Sequence, residues 1–422
     1  MNPTPPFQPT SPSRRMLHLD VLRGFALLGI LLVNFQWFGR PLQAMWLGPD
    51  WDLSGADQLA ELAIMTFAEG KFYPLFSLLF GAGFALLLGR AHDHGASGAG
   101  LYLRRMAVLA LFGGAHILLL WPGDILLLYA VTGALMLWLF RRTPVQRQWK
   151  WGVAFLSVGP LLILILLLGV AASPDFAQEL HQDMTENNAE LHGVIERANA
   201  VFSDGTFAEA VRERVASYWF LVGSESVFWL LPVLGYFMLG RWLWTSGRLE
   251  RPEAATGFLR AWAGPGLLLG LALMLVSLWL FQSAGDDLFG VRSLFGAVLF
   301  TIGSPVLALG YLALVTRKAG QLTWLAPVGR MALTHYLLQS LFWTSVFYGY
   351  GLGLWGQIPR AVHPVCVLVF FAGQVWLSHW WLRRYHFGPA EWLWRSLAYG
   401  QRPAMTKALG INKSSATRAD RR

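Results

Sequence analysis

A single cysteine, Cys366, occurs in 422 residues. That excludes an internal disulfide framework, a CxxC redox pair and any thiolate zinc site. Charge is scarce as well: Asp, Glu, Lys and Arg make up 14% of the chain, where a soluble globular protein carries about 25%. Together with a mean hydropathy of +0.45, the shortage excludes a disordered, fibrous or ordinary cytosolic protein. The surplus is apolar. The chain is 55% hydrophobic, with 21 Trp and 28 Phe, an aromatic load suited to lipid-facing and interfacial surface.

A bilayer core about 30 Å thick needs about 20 apolar residues of helix. Ten stretches meet that need: 17–38, 72–89, 104–121, 124–140, 150–171, 220–243, 258–281, 292–316, 327–348 and 361–382. The expected fold is an all-α polytopic integral membrane protein of about ten transmembrane helices, since a helix satisfies its own backbone in lipid. With the N-terminus cytoplasmic, the inner segments hold 25 of the 33 Lys and Arg, whereas the outer segment 173–217 carries nine Asp/Glu against three Arg. Basic residues mark the cytoplasmic side, so both termini are expected there. The net charge of +9 is then topogenic. The lipid bilayer is an expected partner and nucleic acid is not.

The spans divide the chain. Residues 1–13 and 401–422 are expected to be disordered, the latter as a basic tail. Five spans fall within 14–172 and five more, with an interfacial helix, within 218–400. Between them, Phe176, Leu180, Met184, Leu191 and Ile195, then Phe207, Val211 and Val215, recur at helical steps. That pattern predicts two amphipathic helices forming an outer cap, with a lid over an outer site as the other reading. Ser13-Arg14-Arg15-Met16-Leu17 resembles a twin-arginine signal, but no small-residue cleavage site follows, so an uncleaved first helix is expected.

Ionisable groups inside a span cost about 2.5–3.5 kcal/mol each on insertion scales and tend to be paired and functional. In LDVLRGFALLGILLVN, Asp20 and Arg23 share one helical face near the inner end. They form either a structural ion pair or a site at which Arg23 binds an anionic group such as phosphate. Asn34 lies 14 residues beyond Asp20, roughly 21 Å along the axis and near the outer face. Glu69 and Lys71 stand at the outer mouth of the second span, as interfacial anchors or cavity-lining groups. In GGAHILLLWPGDILLLYA, His116 precedes Asp124 across a Pro-Gly turn. A lone histidine among apolar residues is commonly a packed core residue, yet His116, Asp124 and Glu225 of the sixth span can converge on the outer side. There a carboxylate would orient the imidazole as a general base. No HExxH or His-x-His spacing surrounds them, so no metal is expected at that site.

Two glycine patterns carry less. Gly351, Gly353 and Gly356 match GxGxxG but follow an apolar helix in place of a strand, which excludes a dinucleotide fold. A turn beside Tyr348 and Tyr350 is expected instead. Gly81 and Gly83 are expected to permit close helix packing.

The ordered strings LDVLRGFALLGILLVN, EGKFYPLFSLLFGAGF, GDILLLYA, GRMALTHYLLQSLFWTSVFYGYGLGLWG and YHFGPAEWLWRSLAYG resemble the bacterial YeiB-like family of membrane proteins of unknown function. The likeness runs from the first helix to Gly400 and implies a polytopic inner-membrane protein. The first-helix motif also resembles that of a wider transmembrane acyltransferase superfamily, which includes heparan-alpha-glucosaminide N-acetyltransferase. Its members pass an acyl group from a cytoplasmic acyl-CoA to an acceptor on the other side. The LDxLRG pattern and the later Asn fall on Asp20, Arg23, Gly24 and Asn34. One departure stands out: the acetyltransferase has a catalytic His soon after that Asn, and here no His occurs between His18 and His92. His116 is the first candidate to serve in its place.

Near the C-terminus, Phe387-Gly388-Pro389 breaks the last span, and Glu391, Trp392, Trp394 and Arg395 follow in an amphipathic segment. It reads as an interfacial helix, or as a wall of an inner cationic vestibule in which Arg395 joins Arg23 and Arg330. His335 and Gln339, one turn apart, would line the route outward. The resemblance implies an acyltransferase with acyl-CoA as donor substrate, no tightly bound cofactor and a periplasmic or lipid-linked acceptor. In that scheme His116 is the base, Asp124 orients it and Asn34 bonds the reacting carbonyl. A transporter of a small molecule or lipid through the same polar residues, and a non-catalytic membrane scaffold, are the alternatives.

Overall fold

The structure, a computed structural model, describes residues 16–93, 98–249, 256–285 and 287–407, excluding the side chains of 224–228 and 256. The expected disordered N-terminus 1–13, the twin-arginine pair and the tail beyond 407 lie outside these residues. Within them the chain is helical: α1 (Leu17–Phe38), α2 (Gly55–Phe67), α3 (Phe72–Asp93), α4 (Ala99–Leu119), α5 (Leu126–Phe140), α6 (Val145–Ala172), α7 (Pro174–Asp204), α8 (Phe207–Thr245), α9 (Thr256–Ala284), α10 (Val291–Arg317), α11 (Ala326–Arg330), α12 (Ala332–Phe347), α13 (His363–Arg384) and α14 (Pro389–Tyr399). Among the described residues the only β pairing is an isolated bridge between Tyr385 and Thr406. With His386 N donating to Met405 O at 2.9 Å, that bridge ties residues 405–407 back to the end of α13, past the boundary expected at 400.

α1 forms the centre, touching α3, α10, α11, α12 and α13, and Leu22, Leu31 and Phe35 on it are fully buried. α8 lies between α3 and α6, and α9 packs along α10. The periphery reverses the usual rule for a soluble protein. Leu161, Ile165 and Leu168 on α6, Leu268 and Trp279 on α9, and Val365 and Val369 on α13 all face outward. So much exposed apolar surface is stable only against lipid. Seven helical stretches among the described residues are long and apolar enough to cross a membrane, and the chain is a multi-pass membrane protein.

Each of the ten expected spans coincides with helix, but three differ in form. The stretch 124–140 yields the 15-residue α5, about 22 Å long at 1.5 Å per residue and thus shorter than a bilayer core. The stretch 220–243 lies inside the 39-residue α8. The stretch 327–348 breaks at Met331 into α11 and α12. Of the two glycines expected to permit close packing, Gly81 does so, its missing side chain leaving room for the Phe237 carbonyl of α8; Gly83 has no such neighbour.

The outer segment contains two helices, although the second is not confined to it. Ser173 caps α7 by accepting from Phe176 N, and Thr206 with Glu209 forms a reciprocal capping box on α8. α8 then continues without interruption from the outer segment into the bundle. Only the second half of α7 is covered: Leu191, Ala198 and Phe202 are buried, whereas Phe176 is exposed. Phe202 rests on Tyr348 and Trp355 of the loop after α12.

Candidate functional site

Three side chains from two distant parts of the chain meet in the interior. His116, near the end of α4, places Nε2 2.8 Å from Ser340 Oγ on α12. On its other side Nδ1 stands 3.0 Å from Asp124 Oδ2, both side chains being fully buried, and neither atom has a hydrogen-bond partner among the described residues. Asp124 is held by its second oxygen, which accepts from Leu127 N at 2.7 Å and so caps the first turn of α5. Serine, imidazole and carboxylate thus stand in the order of a nucleophile, its base and the group that orients the base. Gly113, one turn before His116, lets α4 approach: a Cβ there would lie 2.5 Å from Leu127 N and 2.8 Å from Asp124 Oδ1.

A cavity of about 340 Å³ approaches this triad without being lined by it: Ile125, next to Asp124, and Tyr336, beside the His116 ring, belong to its wall, whereas Ser340, His116 and Asp124 do not. Its walls near the triad are Ile125, Leu126 and Tyr336, and its far end holds Asp20, Arg23, Arg90, Arg105, Arg330 and Arg395. Five arginines against Asp20 and Glu391 leave the lining net positive. Met16 and Tyr399 both belong to the lining, so the start of α1 and the end of α14 lie on the basic side. Arg23 is tied to Asp20 at 2.9 Å and remains one-third exposed, whereas Nε of Arg330 has no hydrogen-bond partner among the described residues. Arg105 stacks on Trp394 at 4.2 Å and donates to Tyr399 OH at 3.1 Å, joining α4 to α14. Between the two ends the wall is apolar, from Leu79, Phe80, Met106 and Leu109. Tyr336 lies across the passage, its ring 5.0 Å from that of His116 and its hydroxyl donating to Gly123 O at 3.3 Å.

Glu391 explains the break between α11 and α12. A helix start exposes N–H groups without partners, and here Glu391 Oε1 accepts from Leu333 N at 2.7 Å and Thr334 N at 3.1 Å. Its other oxygen accepts from the Thr334 hydroxyl at 2.5 Å. The carboxylate of α14 therefore caps α12 from a distance, one wall of the cavity fastening another. Burial raises its carboxyl above the ordinary range, against the lowering effect of the bonds from Thr334 and Leu333.

The other expected site residues are placed elsewhere. His335 bonds Ser378 at 2.6 Å, and Gln339 donates to Gln374 at 3.0 Å; these pairs fasten α12 to α13 and line neither of the two main cavities. Tyr348 is buried beneath Phe202 of α7 and beside Arg214 of α8. Lys71 is fully buried, its Nζ donating to Met65 O at 2.6 Å and lying 4.7 Å from the Phe300 ring of α10. Glu69 is half-buried two residues away at the same joint between α2 and α3. Asn34, expected to share an outer cavity with His116, is half-buried on α1 and lines neither cavity. The Glu225 side chain is outside the described residues. Ser340, Tyr336, Arg90 and Arg105 were not singled out as site residues from the sequence. Arg90 and Arg105 stood out only as topogenic charge, and nothing adjacent in sequence marks Ser340 as the partner of His116.

The family described as "Protein of unknown function (DUF418)" matches residues 243–401, the part that contains Ser340, Tyr336, Arg330, Glu391 and Arg395. Over nearly the full length, the uncharacterised protein YxaH of Bacillus subtilis is 32% identical across 415 residues, covering 93% of this chain and 96% of its own. YeiB of Escherichia coli is 33% identical across 403 residues, with 93% and 99% covered. The chain belongs to this YeiB-like DUF418 family. A further member, a 39.9 kDa protein from the amylase 3' region of Bacillus acidopullulyticus, is 28% identical across 394 residues. No solved structure matches the chain. For a DUF418 protein, the triad thus joins the matched C-terminal part, through Ser340, to His116 and Asp124 outside it.

Proposed function

We propose that this protein is an acyltransferase of the bacterial inner membrane, moving an acyl group from a cytoplasmic acyl-CoA to an outer or lipid-linked acceptor. The observation that carries the reading is the Ser340–His116–Asp124 chain beside a cavity whose far end holds five arginines. Such a cavity matches a donor with phosphates at one end and a thioester at the other. The guanidinium groups of Arg23, Arg90, Arg105, Arg330 and Arg395 would take the phosphates, and the apolar wall would take the arm and its acyl group. Sequence likeness of the first helix to transmembrane acyltransferases supports the same class.

The chemistry follows from the order of the three groups. Ser340 Oγ attacks the thioester carbonyl while its proton passes to His116 Nε2, and Asp124 stabilises the resulting imidazolium. The C–S bond breaks and the departing thiolate takes that proton, leaving as CoA. An acceptor hydroxyl or amine then attacks the acyl-Ser340 ester and gives its proton to His116, which returns it to Ser340. An acyl-enzyme allows donor and acceptor to arrive from opposite sides without meeting. Tyr336 must turn aside for the donor carbonyl to reach Ser340, since its ring covers His116.

The test is release of free thiol from acetyl-CoA by the protein in proteoliposomes. A burst of CoA stoichiometric with protein is expected even without acceptor, and none from His116→Ala or Ser340→Ala. Acyl-CoA or another solute crossing intact with no thiol released would contradict acyl transfer and support a transporter.

A further inference from the structure

The outer side of the molecule holds a second cavity, of about 220 Å³, lined by Gln36, Arg40, Asp57, Arg360 and His363 over an apolar floor that includes Phe35. Two of these side chains are almost wholly buried and each keeps an unmatched hydrogen-bonding atom. They are Gln36, 2% exposed, at Oε1 and His363, 5% exposed, at Nδ1. Arg40 Nε is unmatched as well among the described residues. Buried polar atoms without partners are rare because they are costly, and three of them belong to side chains that line one cavity.

Their chemistry specifies an occupant. His363 Nε2 lies 3.2 Å from the Ile358 carbonyl, which can only accept, so Nε2 carries the proton and Nδ1 offers a lone pair. Gln36 Oε1 is a second acceptor. Of the cavity's acidic neighbours, Asp57 accepts from Ala361 N at 2.7 Å, and Glu61 stands 3.8 Å from Arg360 with its Oε2 making no hydrogen bond among the described residues. Arg40 rests its guanidinium on the Trp37 ring at 4.0 Å; the carboxylates of Glu61, Asp50 and Glu69 act on it at longer range, none of them within salt-bridge distance among the described residues. A fitting solute brings one negative charge for Arg40 and O–H donors for the two acceptors. The cavity's modest volume of about 220 Å³ favours a small solute.

We propose that this outer cavity binds a small polyhydroxylated carboxylate, its carboxylate on Arg40 and its hydroxyls on Gln36 and His363. Phe347, also in the lining, stands seven residues beyond Ser340 on α12, about 10 Å along the helix. On the acyl-transfer reading a hydroxyl of this solute is the acyl acceptor; the binding itself does not depend on that reading.

The probe is D-glycerate, with glycerol and propionate as its two halves, titrated calorimetrically into the full chain in lipid nanodiscs. Glycerate is expected to bind at least about tenfold more tightly than either half. Arg40→Gln lowers it to the level of glycerol and Gln36→Leu to that of propionate. Arg317→Gln, exposed at the far end of α10, leaves it unchanged. Thermal unfolding of each variant identifies any that fails to fold, and the preference of the unmodified protein stands as a separate readout. Absence of glycerate binding, equal binding of glycerol, or undiminished binding by folded Arg40→Gln overturns the proposal. Glycerate that binds without being acylated removes the acceptor role alone, and failure of the CoA burst with binding intact removes acyl transfer alone.

Discussion

Asp124 serves two groups at once, Oδ1 holding the first turn of α5 through Leu127 N and Oδ2 facing His116. One carboxylate therefore holds the local backbone and also stands against the imidazole. Glu391 does comparable work at the basic end, capping α12 from α14. Its pH behaviour follows from burial, which raises its carboxyl above the ordinary 4.5. A raised folded value favours the protonated form in the folded protein. The stability it lends is complete below the unfolded value and is lost as pH rises through the folded one. Glu391→Gln, neutral at every pH, lacks this dependence. The unfolding temperature of the unmodified protein, compared with Glu391→Gln, should rise as pH is lowered from about 8 to about 5; a difference that stays flat or runs the other way refutes the linkage. His116 and Asp124 were legible as a pair because a tight Pro-Gly turn returns the chain on itself between them. Ser340, 224 residues from His116, was not, since only tertiary packing brings α12 to α4.

At the scale of the element, hydropathy locates the helices and leaves their interruptions hidden. The break between α11 and α12 depends on a carboxylate 57 and 58 residues downstream, beyond the reach of any local pattern. The continuity of α8 from the outer segment into the bundle is hidden too, because its polar and apolar halves read as separate helices. Gly113 shows how closely two elements must meet for the site to exist. Gly113→Val puts atoms where Leu127 N and Asp124 Oδ1 now lie, so α4 and α5 must separate. Overpacking of this kind costs about 1–3 kcal/mol. Denaturant unfolding should show a loss of that order, and the CoA burst should slow even in the folded fraction, because Asp124 is displaced from His116. Unchanged stability and an unchanged burst would show that the crossing tolerates separation.

For the whole molecule, the sequence's one-sided distribution of basic residues has a structural counterpart. Met16, Arg23, Arg90, Arg105, Arg395 and Tyr399 come from four helices and the chain preceding them, and all line one cavity. Topogenic charge and candidate binding charge are in part the same residues. The sequence showed a basic side, whereas the cavity it encloses depends on how α1, α3, α4, α11 and α14 are arranged. Asn34 illustrates the converse: placed near the outer face by its position on the first helix and given a role by motif likeness, it lines no cavity shared with His116. The proposed division of labour is therefore spatial, with donor recognition at the basic end and bond exchange at the triad. Steady-state CoA release as a function of acyl-CoA concentration separates the two. Arg330→Gln combined with Arg395→Gln should raise KM by about tenfold or more with kcat within about twofold, the signature of lost uniform binding, whereas Ser340→Ala should abolish turnover while acyl-CoA still binds. Arginine substitutions that leave KM unchanged, or a Ser340→Ala protein that still turns over, would contradict it.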